Sequence, residues 1–273
     1  MIDAADIRGH ARRAIVASLI ALVAVPRAWA VIPGRADLPQ GLAVTGPDGR
    51  SWALSLADPY VVSDAAYGYA FGEALHDAAS RAYYVAVLLD SWRVKSRGDL
   101  LQRLESLRTQ GTRAIYADLL AQVSVGGRRG WWQRSVDMLQ DRVRAYRVAI
   151  VERESAQLGA AGILAFDISR RVNTARWGYA AGYLSESEAW RLILPAARLA
   201  QSSFDSWEAF GRSFLVGRDF FWASSNHDTS QREFVRAVHD LQTRPDGAWR
   251  IHPWRQPLGD VPIRAADPEA GDQ

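Results

Sequence analysis

An aspartate followed one helical turn later by two arginines, Asp167-Ile-Ser-Arg170-Arg171, is the spacing in this sequence best suited to chemistry. On a helix the carboxylate reaches either guanidinium, and Thr174 continues the same face. A guanidinium fork matches phosphate or carboxylate with two parallel hydrogen bonds, so an Asp–Arg pair lining a cleft could grip an anionic ligand. The same pair, buried, would instead tie its helix to the neighbouring ones as a structural ion pair. Arg176 lies nine residues after Asp167, which at about 100° per residue places it on the opposite side of the helix. One straight helix therefore cannot gather all three arginines. With Arg218, further along the chain, Asp167, Arg170, Arg171 and Arg176 make up the candidate ligand-binding set.

Other chemistries find less support. The histidines are His10, His76, His227, His239 and His252, and none stands in an i,i+4 pair of the HExxH kind, so no helix-borne metal site is expected. His227, in Ser225-Asn226-His227-Asp228, reads as a loop histidine with no nucleophile motif such as GxSxG beside it. The chain has no cysteine, which removes disulfides, thiolate nucleophiles, iron–sulfur clusters and Cys-type zinc sites. Lys95 is the sole lysine, and a GxxxxGK phosphate loop is absent. No cofactor is implied. Trp131-Trp132 beside Arg128, Arg129 and Arg134 is the best local case for base stacking. Trp132 also belongs to an apolar helical stripe, and the other tryptophans mostly sit at core spacing.

Charge speaks against a nucleic-acid partner. The formal net charge is +3, and Arg8, Arg12, Arg13 and Arg27 against Asp3 and Asp6 supply +2 of it within residues 1–30. The remaining +1 is too balanced for the broad basic footprint that phosphate-backbone binding needs. Hydrophobic content of 48% with 23% charged residues is ordinary globular composition. Arg12-Arg13 precede an apolar run from Ala14 to Val25, then Pro26 and Ala28-Trp29-Ala30. This is the positive, apolar, small-x-small order of a secretory signal peptide, and it predicts export to the periplasm or beyond after cleavage near Ala30. The run is too short to span a bilayer as a finished helix, so no transmembrane span is expected in the mature chain. The alternative is an amphipathic first helix of a cytoplasmic protein.

The rest of the chain must position the charged face, and its periodicity is helical. Pro33, Gly34, Pro39, Gly41, Gly46, Pro47 and Gly49 mark a linker, with a short hairpin possible around Pro47-Asp48-Gly49. Helical pattern starts near Asp64 and runs to Leu89. Ser96 to Asp99 reads as a capping box opening a helix through Leu100, Leu104 and Leu107 that stops at Gly111. A shorter helix carries Ile115, Leu119 and Val123, and Gly126-Gly127 is expected to end it. Trp132, Val136, Leu139, Val143, Tyr146 and Ile150 form a heptad stripe, which predicts one long core-facing helix. Beyond Gly159 and Gly162, Leu164, Ile168, Val172, Ala175 and Tyr179 define the helix that bears Asp167. Ser185 to Glu188 is a second capping box, and Pro195 should kink or split its helix. Trp207, Phe210, Phe214 and Phe221, then Phe234, Val238 and Leu241, trace two more apolar faces. No long alternating pattern appears, so no extensive sheet is expected.

The segment Asp167-Ile-Ser-Arg170-Arg171-Val-Asn173, followed by Ala175-Arg176-Trp177-Gly178-Tyr179 and Gly182-Tyr-Leu-Ser185-Glu186-Ser-Glu188-Ala189-Trp190, resembles the bacterial domain of unknown function 1266. The similarity continues in Trp207-Glu208-Ala-Phe210-Gly211, Gly217-Arg218-Asp-Phe220-Phe221-Trp222 and Trp249-Arg-Ile-His-Pro253-Trp254. Upstream, Ser51-Trp52-Ala-Leu-Ser and Asp90-Ser-Trp92 look like its N-terminal half. The resemblance implies a compact helical domain and brings no established activity. The expectation is thus an all-α, multi-helix single domain over residues 47–256, after a signal peptide (1–30) and a linker (31–46) and before a disordered tail (257–273). A monomeric, non-catalytic module binding a protein or small ligand is one functional expectation. The other is an enzyme or secreted effector acting on an anionic substrate through the Asp/Arg set.

Overall fold

A helix starts most readily where a short polar side chain can stand in for the missing turn. Ser96 accepts the amide of Asp99 at 3.2 Å, and the Asp99 carboxylate accepts the amide of Lys95 at 2.9 Å. Ser185 and Glu188 form a complete capping box, and Ser206 accepts the amide of Ala209. Each of these serines opens a helix.

The structure is a computed structural model that describes residues 49–63, 78–138, 142–223 and 228–259, with side chains excepted at 61–63, 78–80, 125–138 and 228–229. Within these residues the order is α1 (Gly49–Ser55), α2 (Asp58–Ser63), α3 (Ala78–Trp92), α4 (Arg97–Thr109), α5 (Gly111–Met138) and α6 (Arg142–Leu158). A 3-10 turn (Gly159–Ala161) leads to α7 (Leu164–Ala180), α8 (Glu186–Ser203), α9 (Trp207–Trp222), α10 (Asp228–Thr243) and α11 (Ala248–Ile251). No strand occurs among the described residues, and the all-α architecture expected from periodicity holds.

α7 is the axis of the fold. It packs against α1, α2, α3, α4, α5, α8 and α9. Its sequence suggests one apolar stripe, yet Asp167, Ser169, Arg171, Asn173 and Thr174 are buried along with Ile168, Val172 and Ala175. A helix enclosed on every side must carry its polar residues inside and satisfy them there. Ser169 does so by donating to the Leu56 carbonyl at 2.6 Å. Gly178 lets α4 come close, since a Cβ there would collide with the Leu100 side chain.

Four tryptophans close the other side of the core. The Trp207 ring lies 4.9 Å from Trp249 in a stacked pair, 5.0 Å from Trp52 and 4.8 Å from Trp254. Each indole N–H finds a carbonyl: Trp52 on Pro253, Trp207 on His252, Trp249 on Ser55 and Trp254 on Phe204. These contacts bind α1 to the C-terminal helices, and they support the reading of these tryptophans as core. A second, smaller core of Tyr116, Leu119, Val148, Val151 and Phe220 joins α5 and α6 to α9.

Several sequence expectations give way. Gly126-Gly127 does not end a helix, because α5 runs through both to Met138; glycine costs only about 1 kcal/mol in a helix interior. The heptad stripe is divided between α5 and α6, and residues 139–141 between them lie outside the described residues. Of its members in α6, Val143 and Tyr146 are exposed and Ile150 is buried, with Val148 and Val151 also facing the core. Gly49 opens α1 rather than a hairpin. Pro195 sits inside an unbroken α8 on its exposed face, where water can take the carbonyl its missing N–H leaves free. The chain also stays packed beyond Trp254, with Leu258 buried. Among the described residues no helix is long and apolar enough to cross a membrane. The signal-like segment and the linker lie outside the described residues.

Candidate functional site

Asp167 sits in the first turn of α7, where a carboxylate complements the helix dipole. It does more than that. Its Oδ1 accepts the amide of Thr112 at 2.8 Å and its Oδ2 the amide of Arg113 at 3.0 Å, so it caps the start of α5 from 54 residues away. The Arg113 guanidinium donates to Oδ2 at 3.2 Å and also to the carbonyls of Leu107 and Arg108, the free end of α4. One ion pair thereby closes the C-terminus of one helix and the N-terminus of the next. Gly111 makes the corner possible. Its φ of +59° suits glycine, and a Cβ would collide with the Asp167 carboxylate.

Arg170 completes this cluster. Its Nη1 lies 3.8 Å from Asp167 and donates to Thr112 Oγ1 at 3.0 Å. Its guanidinium is caged by the rings of Trp92, Phe166 and Phe221 at 4.8, 5.0 and 4.6 Å. Burial pulls its pKa down, while Tyr60 and Asp167 oppose the pull. Arg218 approaches the same interior from α9. It donates to Gln231 Oε1 at 2.7 Å and to Ser230 Oγ, and it covers the Phe234 ring at 3.9 Å. Burial lowers its pKa to about 10, against the pull of Tyr60, Glu233 and Asp219. Tyr60 feels both arginines, but burial pushes its phenol well above the usual range.

The remaining two arginines point elsewhere. Arg171 turns from Asp167 toward the α4–α5 corner, where Glu105, Arg108 and Arg113 are its charged neighbours. Arg176 looks toward α2 and α3, within the field of Asp58 and Tyr84. The structure thus joins Asp167 to Arg170, brings Arg218 to the same buried neighbourhood through Tyr60, and separates Arg171 and Arg176 from them. A cavity of about 580 Å³ opens between the 3-10 turn and the α8–α9 junction, with Gln157, Ser202, Asp205 and Arg212 in its wall. None of the five candidate residues lines it.

Arg113 is the participant that sequence reasoning missed. A signal was present. The residue ahead of α5 is Gln110, a poor N-cap, so the orphan amides of that helix required a remote acceptor. Of the histidines, His239 is exposed beside Asp240, and His252 is fully buried with Nδ1 3.3 Å from Gln256 Oε1. His10, His76 and His227 lie outside the described residues, and so do the side chains of Trp131 and Trp132. Among the described residues no group of three or more His, Cys, Asp or Glu could hold a metal ion.

Asp58 gives the interior a pH dependence. Burial pushes its carboxyl from 3.8 up to about 6, against the pull of the Arg176 guanidinium and the Ser55 hydroxyl. Between those two values the folded chain holds a proton that the unfolded chain has released, so stability falls as pH rises through that window. Urea midpoints measured across the window should therefore decline in the wild type, and the Asp58→Asn variant should lack this component. A wild-type-to-variant difference that stays constant with pH would contradict the assignment.

A family model described as "Protein of unknown function (DUF1266)" matches residues 87–254. No curated protein and no solved structure matches the chain.

Proposed function

We propose, for a chain that belongs to the DUF1266 family and takes no activity from that family's description, that it is a non-catalytic helical module binding a protein or a small ligand. The observation that carries this reading is the burial and engagement of Asp167. Two backbone amides and one guanidinium occupy its oxygens at 2.8–3.2 Å, and Arg170 stands next to them. A general acid or base must exchange a proton with substrate, and it needs an open lone pair within hydrogen-bond reach to do so. Asp167 is only 2% exposed, so a substrate does not reach its remaining lone pair, and it holds α4, α5 and α7 together. Arg170 and Arg218 are likewise spent on neutral partners and aromatic rings.

The test is turnover set against stability. Incubation of the wild type with a phosphomonoester and a carboxylic ester should release no product, and Asp167→Asn should lower the melting temperature. Product release that Asp167→Asn abolishes at a temperature where the variant is still folded would overturn the module in favour of an enzyme acting on an anionic substrate.

The module's place of action is the cell envelope, on the strength of the Arg12-Arg13, Ala14–Val25 and Ala28-Trp29-Ala30 order. Mass spectrometry of the protein from its native host should find a mature N-terminus close to Val31. Replacing Leu19 and Leu22 by Arg should leave the precursor uncleaved in the cytoplasm, because charges spoil an apolar signal core. An intact Met1 on the wild-type protein would overturn export.

A further inference from the structure

Three guanidiniums, those of Arg108, Arg113 and Arg171, gather at the α4–α5 corner, and they are not equally occupied. Arg113 is committed to the Leu107 and Arg108 carbonyls and to Asp167. Arg108 holds Glu105 through both Nε and Nη2, at 2.7 and 2.5 Å. Arg171 holds nothing: among the described residues none forms a hydrogen bond or ion pair with it. It is only 7% exposed, and its Nε is enclosed without a partner. A desolvated guanidinium with an unmet N–H is expensive to keep, and a guanidinium fork matches the geometry of an anion such as phosphate.

We infer that Arg171, with Arg108 at its exposed edge, forms a binding site for a small phosphate-bearing anion at the α4–α5 corner. The inference rests on the module reading above and names its ligand class. Glu105 is the intramolecular competitor. The Arg108–Glu105 pair is a surface pair, with both side chains more than half exposed, and solvent and salt screen such pairs strongly. An incoming anion can therefore take over Arg108 at little cost. A tetrahedral phosphate can present separate oxygen edges to two guanidinium forks at once, whereas a carboxylate has a single edge. Arg113 adds positive field without giving up its own bonds. Of the five-residue Asp/Arg set suggested by sequence, the site thus uses Arg171.

The experiment is a titration of the full chain with inorganic phosphate, followed by melting temperature and by calorimetry. Acetate and chloride at matched ionic strength serve as references. Phosphate should raise the melting temperature saturably, since a ligand bound only to the folded state stabilises it. Arg171→Met should abolish the saturable part. Arg108→Ala, an exposed position that leaves the core untouched, should weaken binding several-fold and keeps the test open if Arg171→Met does not fold. Glu105→Gln should tighten it several-fold by removing the competitor. Tighter binding of a phosphomonoester than of inorganic phosphate would assign the site to an esterified group, and equal binding to the free ion. A phosphate response no larger than that of acetate and chloride would overturn the site, as would one unchanged in both Arg171→Met and Arg108→Ala. Those results would leave the module reading standing, because only product release bears on that.

Discussion

Asp167→Ala should destabilise the fold by roughly 3–5 kcal/mol, the range for breaking a buried, hydrogen-bonded ion pair by removing one partner. The Thr112 and Arg113 amides and the Arg113 guanidinium all lose their acceptor in one step. Asparagine repairs little. Its carbonyl can replace one oxygen, but its NH2 group would face the Arg113 donors where Oδ2 now accepts. Asp167→Asn should therefore fall close to alanine, whereas a surface acid such as Glu105 should tolerate amidation to Gln with little loss. Replacing Asp167 and Arg113 together by apolar residues removes the stranded charge and should recover part of the loss. The recovery stays incomplete because the two amides opening α5 remain without an acceptor. Urea unfolding of the two single variants and the double variant gives the coupling directly. A loss below about 1 kcal/mol for Asp167→Ala would show that the clamp is not structural, and would return the carboxylate to the candidate ligand-binding set.

The sequence reveals what is local and hides what is remote. Ser96 and Ser185 could be read as caps because the hydroxyl and the amide it serves are three residues apart. The same reasoning fails for α5, whose cap is Asp167, since nothing in the order of residues links position 112 to position 167. Periodicity identified α9 correctly, with Trp207, Phe210 and Phe214 buried along one face. It misjudged α7, because a period of 3.6 reports the contrast between two faces and a central helix has none. Asp167 and Arg170 could be read either as members of a cleft or as a buried ion pair for that reason. Their alternation with Ile168 and Val172 was the polar interior of an enclosed helix. The heptad stripe failed differently: its spacing was regular, but Val143 and Tyr146 are exposed where Ile150 is buried, and spacing alone does not say which face a neighbouring helix covers.

Trp207→Ala should cost roughly 3–5 kcal/mol, the range for truncating a buried aromatic, and should fall toward the upper end. The ring is 4% exposed and contacts three other indoles: it stacks on Trp249 at an interplanar angle of 10° and meets Trp254 edge-on at 90°. Its N–H donates to the His252 carbonyl at 2.7 Å, so truncation leaves a buried carbonyl unsatisfied as well as a cavity. The effect should also reach beyond α9. Trp249 donates to the Ser55 carbonyl and Trp52 to that of Pro253, which means that α1, ahead of the segment matched by the family, is held through this cluster. Trp207→Phe keeps a ring and loses the donor, and should cost about 1–3 kcal/mol. Trp222, 37% exposed at the end of the same helix, is the control, and its replacement by alanine should cost far less. Urea unfolding followed by tryptophan fluorescence measures all three, and near-ultraviolet circular dichroism should show the loss of the stacked pair with Trp249. If Trp207→Ala costs less than about 1 kcal/mol, the cluster is not the clasp between the two ends of the fold, and its rings become candidates for stacking on a ligand instead.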